Sequence, residues 1–190
     1  IMNKNLVRPL KLFFIFILLA AVAITIKLSF SFSTVINDSL HMVLPAAVYI
    51  SDDKELSFEY PDIFTAYSRN FSGGEILEHV DLLTENTRIH GFVEVWDIKT
   101  SLPVYLEKAK AAFSGSVKNF KESISSDNTD KVIWEYDVYS DSGAVTHVKQ
   151  YFFKTDGKLI VASLFAPREE WSKKYDEMFE EIKNSVKLLE

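Results

Sequence analysis

Four histidines, His41, His79, His90 and His147, are the imidazoles of the 190-residue chain and the first side chains to test for metal. His79 and His90 fall in two alternating apolar runs, Ile76–Thr84 and Arg88–Ile98, which flank the short turn Glu85-Asn86-Thr87 and predict a β-hairpin. If Thr84 pairs with Arg88, His79 faces Val93 and His90 faces Leu82. The two rings then leave opposite sides of the sheet and share no metal. The same register sets Glu78 opposite Glu94, two carboxylates ~5 Å apart on one face, where repulsion would raise one pKa or attract a cation. This pair is the best acid–base or cation candidate in the chain, and a slip of one residue removes it.

Other oxygen-rich stretches have simpler readings. Asp52-Asp53 and Asp127-Asn128-Thr129-Asp130 lack the Asp-x-Asp-x-Asp-Gly spacing and closing Glu of an EF-hand, and turn chemistry accounts for both. Ser72-Gly73-Gly74 precedes a strand and lacks the Gly-Lys-Ser/Thr of a phosphate loop. The chain has no Gly-x-Ser-x-Gly, no His-Glu-x-x-His and no dinucleotide fingerprint. It also has no cysteine, which excludes disulfides, thiol catalysis, lipoprotein acylation and thiolate zinc sites. No catalytic residue and no cofactor are expected, and the domain reads as a non-enzyme.

Aromatic residues make up 14% of the chain. Trp96, Trp134 and Trp171 lie on periodic faces and are expected in the core. Tyr67, Phe71 and Tyr139 lie near strand ends, where exposed rings favour contact with a partner protein.

The elements that must position these groups are legible as alternation. Glu55–Tyr60 alternates up to Pro61, and Ile63–Tyr67 is a second short strand. Lys118–Ser125 and Lys131–Tyr139 are further candidates, and Ala144–Phe153 and Leu159–Phe165 flank Asp156-Gly157, a strong hairpin signal. Ser101, Pro103 and Gly115 bracket a helix over Leu102–Gly115. A closing helix carries the stripe Trp171, Tyr175, Met178, Phe179, Ile182, Val186 and Leu189. The expected fold class is α+β, an antiparallel sheet of about six strands packed with two main helices, and strands apolar on both faces require cover on both sides.

The first 45 residues differ in kind. They carry Lys4, Arg8, Lys11 and Lys27 against Asp38 alone, so the remaining 17 basic and 26 acidic residues hold a net charge of −9. That acidic domain excludes nucleic acid as a natural partner. Leu12–Ile26 is uncharged, and Leu12–Phe32 extends to roughly 31 Å as a helix, enough to cross a bilayer. Basic residues precede the run, so the expected topology is a cytoplasmic N-terminus at 1–11, a single transmembrane helix at 12–32, a linker at 33–50 and an extracytoplasmic domain at 51–190. Ala46–Ile50 can add an edge strand to that domain. The rival reading is a signal peptide cleaved after Ala21-Val22-Ala23, which would secrete the same domain.

Three stretches carry a family resemblance: LSFEYPDIF at Leu56–Phe64, the meander from Val132 to Pro167 with its Asp156-Gly157-Lys158-Leu159 turn, and the segment from Ala166 to Leu189 with its Ala-Pro-x-x-x-Trp opening. Over about residues 51–190 the chain resembles the PsbP-like domains, which include the extrinsic photosystem II protein, a Ran-binding import factor and DcrB-like bacterial proteins. The resemblance implies a non-enzymatic accessory or protein-binding module, here tethered to a membrane and meeting an unidentified protein at its surface. The alternative is a ligand- or cation-binding sensor using the sheet face around Glu78 and Glu94.

Overall fold

The computed structural model describes residues 46–71, 74–113, 115–125 and 130–189. His41, the Asp127-Asn128-Thr129 stretch and the Leu12–Phe32 segment lie outside them. Among the described residues no helix is long and apolar enough to cross a membrane.

Among the described residues ten strands form two antiparallel sheets, more than the single sheet of about six that the alternation implied. The large sheet has the order β3 (Thr65–Ser68), β4 (Ile76–Leu83), β5 (His90–Asp97), β9 (Lys158–Pro167), β8 (Val145–Thr155), β7 (Lys131–Tyr139) and β6 (Val117–Ile124). The small sheet has the order β1 (Ala46–Ile50), β2 (Leu56–Pro61) and β10 (Lys187–Leu188). The edge strand allowed for at Ala46–Ile50 thus forms, and the folded unit reaches back into the stretch assigned to the linker. The extra sheet has a physical cause: two-residue β10 is too short to show alternation, and β2 cannot pair with the large sheet it lies upon.

Helix α1 (Leu102–Ala111) covers one face of the large sheet, burying Leu102, Leu106 and Ala109 against Trp96, Trp134, Phe152 and Leu159. Ser101 occupies its N-cap, but the hydroxyl makes no capping bond; instead the Ser101 carbonyl accepts the Tyr105 N–H at 3.0 Å. Lys108 and Lys110 sit in the last turn, where cations offset the negative end of the helix dipole. The opposite face is covered by the small sheet and by α2 (Lys173–Ser185), which buries Met178, Phe179 and Ile182 against Leu56, Phe58, Val93, Val95 and Leu164.

The closing helix stops four residues short of its apolar stripe. Val186 turns extended, Lys187 and Leu188 pair with Ser57 and Leu56, and the Leu189 N–H donates to the Glu55 carbonyl at 2.8 Å. Ser185 completes the junction, its hydroxyl donating to the Glu59 carbonyl and accepting the Glu59 N–H. Phe179 is 1% exposed at the centre of this layer. Phe179→Ala should therefore cost about 3–5 kcal/mol in chemical denaturation, the range for truncating a buried ring; a loss under ~1 kcal/mol would mean that α2 carries little of the fold.

Candidate functional site

The β4–β5 turn decides which side chains meet. The Thr84 N–H and hydroxyl both donate to the Ile89 carbonyl, at 3.3 and 2.7 Å. Asn86 Oδ1 accepts from the Thr84 hydroxyl and from the Arg88 N–H, each at 3.1 Å, while Thr87 adopts a φ of 55°. The connection spans four residues, Glu85–Arg88, where three were expected. Leu83 therefore pairs with His90, and the register is displaced by one as far as Glu78, beyond which a bulge restores it at Ile76.

This displacement corrects the expected carboxylate pair. Glu78 lies opposite Val95, and Glu94 lies opposite His79, so Glu78 and Glu94 leave opposite faces of the sheet. Glu78 points toward the small sheet and accepts hydrogen bonds from the Tyr49 hydroxyl at 2.7 Å and the Ser68 hydroxyl at 3.0 Å. Burial, and then the bond to Glu78, push the Tyr49 phenol up to about 12. His79 and His90 are corrected as well, since both project from the α1 face.

On that face His79, 8% exposed, has both ring nitrogens engaged: Nδ1 with Glu94 Oε1 at 2.7 Å and Nε2 with Asp81 Oδ1 at 3.1 Å. Trp96 Nε1 donates to Glu94 Oε2 at 2.9 Å, and Arg69 pairs through Nε with Asp81 Oδ2. Burial by itself would depress the His79 pKa, but hydrogen bonds and charge from Asp81 and Glu94 outweigh it and raise the ring to about 9. His79 is thus an imidazolium donating both protons, and with Arg69 it balances two carboxylates. His90, two strand positions along, stacks flat on Phe165 at 4.8 Å. Burial pulls it down to about 4 despite a hydrogen bond with the Thr87 backbone, so it is neutral at pH 7. The two histidines share a face, one charged and the other neutral at pH 7. Among the described residues no group of three or more His, Cys, Asp or Glu side chains is arranged to hold a metal ion.

Above this network the chain leaving β3 alternates. Tyr67 lies opposite Asp81, Arg69 meets Asp81, and Phe71 packs its edge against the His79 ring at 4.9 Å. Tyr67 remains 51% and Phe71 39% exposed, and the Arg69 side chain 60%. The result is an exposed aromatic–cation–aromatic stripe on a hydrogen-bonded, charge-balanced base. Tyr139 differs: it is half-buried, with Lys118 Nζ 4.5 Å above its ring.

The other face holds a second buried cluster. His147 Nδ1 meets Asp137 Oδ1 at 2.6 Å, Asn119 Nδ2 donates to Asp137 Oδ2 at 2.6 Å, and Arg168 approaches both His147 and Asp137. Burial would raise the Asp137 pKa, but the bonds from Asn119 and His147 and the Arg168 charge hold it below the usual carboxylate value. Trp171 packs edge-on at 4.3 Å from the His147 ring and donates to Asp176 at 3.2 Å. This cluster fastens the start of α2 to the sheet. Sequence reasoning missed both clusters, because each joins residues through register rather than through a local motif.

No family model and no curated protein matches the chain. Solved structures do. The cyanobacterial PsbP (CyanoP) of Synechocystis sp. PCC 6803 superposes with a TM-score of 0.52 at 15% identity, over 82% of this chain and 98% of that one. A point mutant of Mog1 gives 0.53 at 9% identity, over 77% and 97%. A Bacteroides thetaiotaomicron VPI-5482 protein gives 0.52 at 13% identity, over 75% of this chain and 48% of that one. The chain has the PsbP-like fold shared by PsbP and Mog1.

The charge state of His79 has a measurable consequence. Its folded pKa of about 9 lies above the ordinary 6.5, so its contribution to stability is complete below pH ~6.5 and is lost as pH rises through about 9. The loss is on the order of 3 kcal/mol. Urea unfolding between pH 6 and pH 10 should show this decline in the native chain and a flatter profile in His79→Gln. Equal profiles would mean that the imidazole is neutral in the folded state.

Proposed function

We propose that this domain is a non-enzymatic protein-binding module, held at the outer face of a cell membrane by a single span at Leu12–Phe32 with the N-terminus in the cytoplasm. The observation that carries the binding role is the Tyr67–Arg69–Phe71 stripe. Tyr and Arg are the residue types that dominate protein interfaces, and here they stand exposed above a hydrogen-bonded, buried base. The buried imidazolium serves as a support: its two N–H groups are committed to Glu94 and Asp81, so His79 itself offers no acceptor for a substrate proton. The fold shared with PsbP and Mog1 is compatible with an accessory role, and fold alone assigns no activity.

The tether supports the same reading. A domain of net charge −9 gains nothing from anionic lipid, so a span rather than electrostatic adhesion would keep it at the surface. Confinement raises its effective concentration toward other membrane proteins, so a small interface suffices.

Two experiments separate these claims. An alkaline carbonate wash should leave the full chain in the membrane pellet while external protease removes residues 51–190 from spheroplasts; a mature N-terminus at Ile24 would replace the span with a cleaved signal peptide. A photo-crosslinking residue at position 67 should capture one discrete protein in intact cells, with capture reduced at least about tenfold by Arg69→Ala in a stably folded chain. Undiminished capture in that variant would remove the stripe from the interface.

A further inference from the structure

Among the described residues the two sheets have four edge strands, and these are managed differently. Edge strand β6 carries a bulge between Lys118 and Lys121, with Asn119 at φ 55°, and its lysines discourage pairing. Strand β3 is four residues long, and β10 has two. Strand β1, Ala46-Ala47-Val48-Tyr49-Ile50, has no bulge and no charge, and it leaves Val48 59% and Ile50 55% exposed. An uncharged edge rich in β-branched residues is a template for another strand.

The direction of its backbone groups follows from the β2 pairing. The Ser51 N–H donates to the Leu56 carbonyl at 2.9 Å, so the odd-numbered residues of β1 turn their amides toward β2. Ala46 lies opposite Pro61, which has no N–H to give, as that alternation requires. Ala46, Val48 and Ile50 therefore present their N–H and C=O groups on an edge that pairs with no other strand among the described residues.

We propose that β1 pairs antiparallel with β1 of a second copy of this chain, about a two-fold axis at Val48, joining two small sheets into one of six strands. The strand is self-complementary in this register. Val48 meets its own copy, Ala46 meets Ile50, and Ala47 meets Tyr49, so a small side chain faces each large one. Charge permits the approach as well. Glu59 pairs with Val48 on β2, so its two copies stand three strand spacings apart, about 14 Å, beyond the ~8 Å screening length at physiological salt. A ribbon of two five-residue strands buries less than a standard interface, so the association is weak and gains from confinement on a membrane. It is independent of the stripe at Tyr67–Phe71.

Hydrogen exchange on the full chain tests this, followed from dilute solution to about 1 mM, where even a millimolar association is half formed. The Val48 and Ile50 amides should become protected as concentration rises, while sedimentation shows a growing species of double the 21.8 kDa chain mass. Val48→Pro removes only the outward amide, and Val48→Lys places a charge on the two-fold. Both should abolish the doubling while the Tyr49 amide stays protected, and the lysine variant supplies the result if proline disturbs the strand. Three outcomes overturn the proposal: free exchange of Val48 and Ile50 at every concentration, protection independent of concentration (the chain covering its own edge), or a dimer that persists in both variants.

Discussion

Strand β9 buries eight consecutive residues, Leu159–Ala166, with β5 on one side and β8 on the other. A strand that is apolar on both faces must be covered on both faces, and the rest of the molecule follows from that requirement. Helix α1 supplies one cover. The other is composite, a three-stranded sheet and α2 lying side by side. Neither layer of that composite has a core of its own: Leu56 and Phe58 from β2, and Phe179 and Ile182 from α2, reach the same apolar cluster on the large sheet. Crowding at the centre is tight enough that β5 uses Gly91 where a Cβ would stand 2.4 Å from the Ser163 carbonyl oxygen.

Both faces also bury charge, and in each case the charge arrives with partners. His79 brings Glu94 and Asp81, and His147 brings Asp137 with Asn119 and Arg168. Breaking such a cluster by removing one member costs far more than the cluster contributes when complete. The two networks therefore act as register locks: a one-residue slip of β4 on β5, or of β7 on β8, would strand an ion in the core.

The elements of this fold were readable because alternation and turn residues mark them locally. Asp156-Gly157 identifies the β8–β9 hairpin, and the stripe through Phe179 identifies α2. The candidate site was less readable. Placing Glu78 against Glu94 required the β4–β5 register, which depends on whether Asn86 accepts a bond from Arg88 and draws that residue into the turn. Alternation fixes which residues share a face of one strand, and the turn fixes what they face on the next. Tyr67 and Phe71 were legible as surface aromatics from their place near a strand end, whereas Arg69 between them was overlooked because its partner Asp81 is on a different strand.

Strands that are far apart along the chain lie side by side in the small sheet. Strand β10 and the Ser185 hydroxyl both fasten to β2, about 130 positions upstream. On a ribosome, or threading through a translocation channel, β2 would wait for about 130 further residues before its partner arrived. The small sheet can therefore close only after every strand of the large sheet has been made. A chain lacking Ser185, Lys187 and Leu188 would keep the large sheet's own pairing while leaving one edge of β2 open, so quality-control proteases would meet a defect far along the chain from the missing residues.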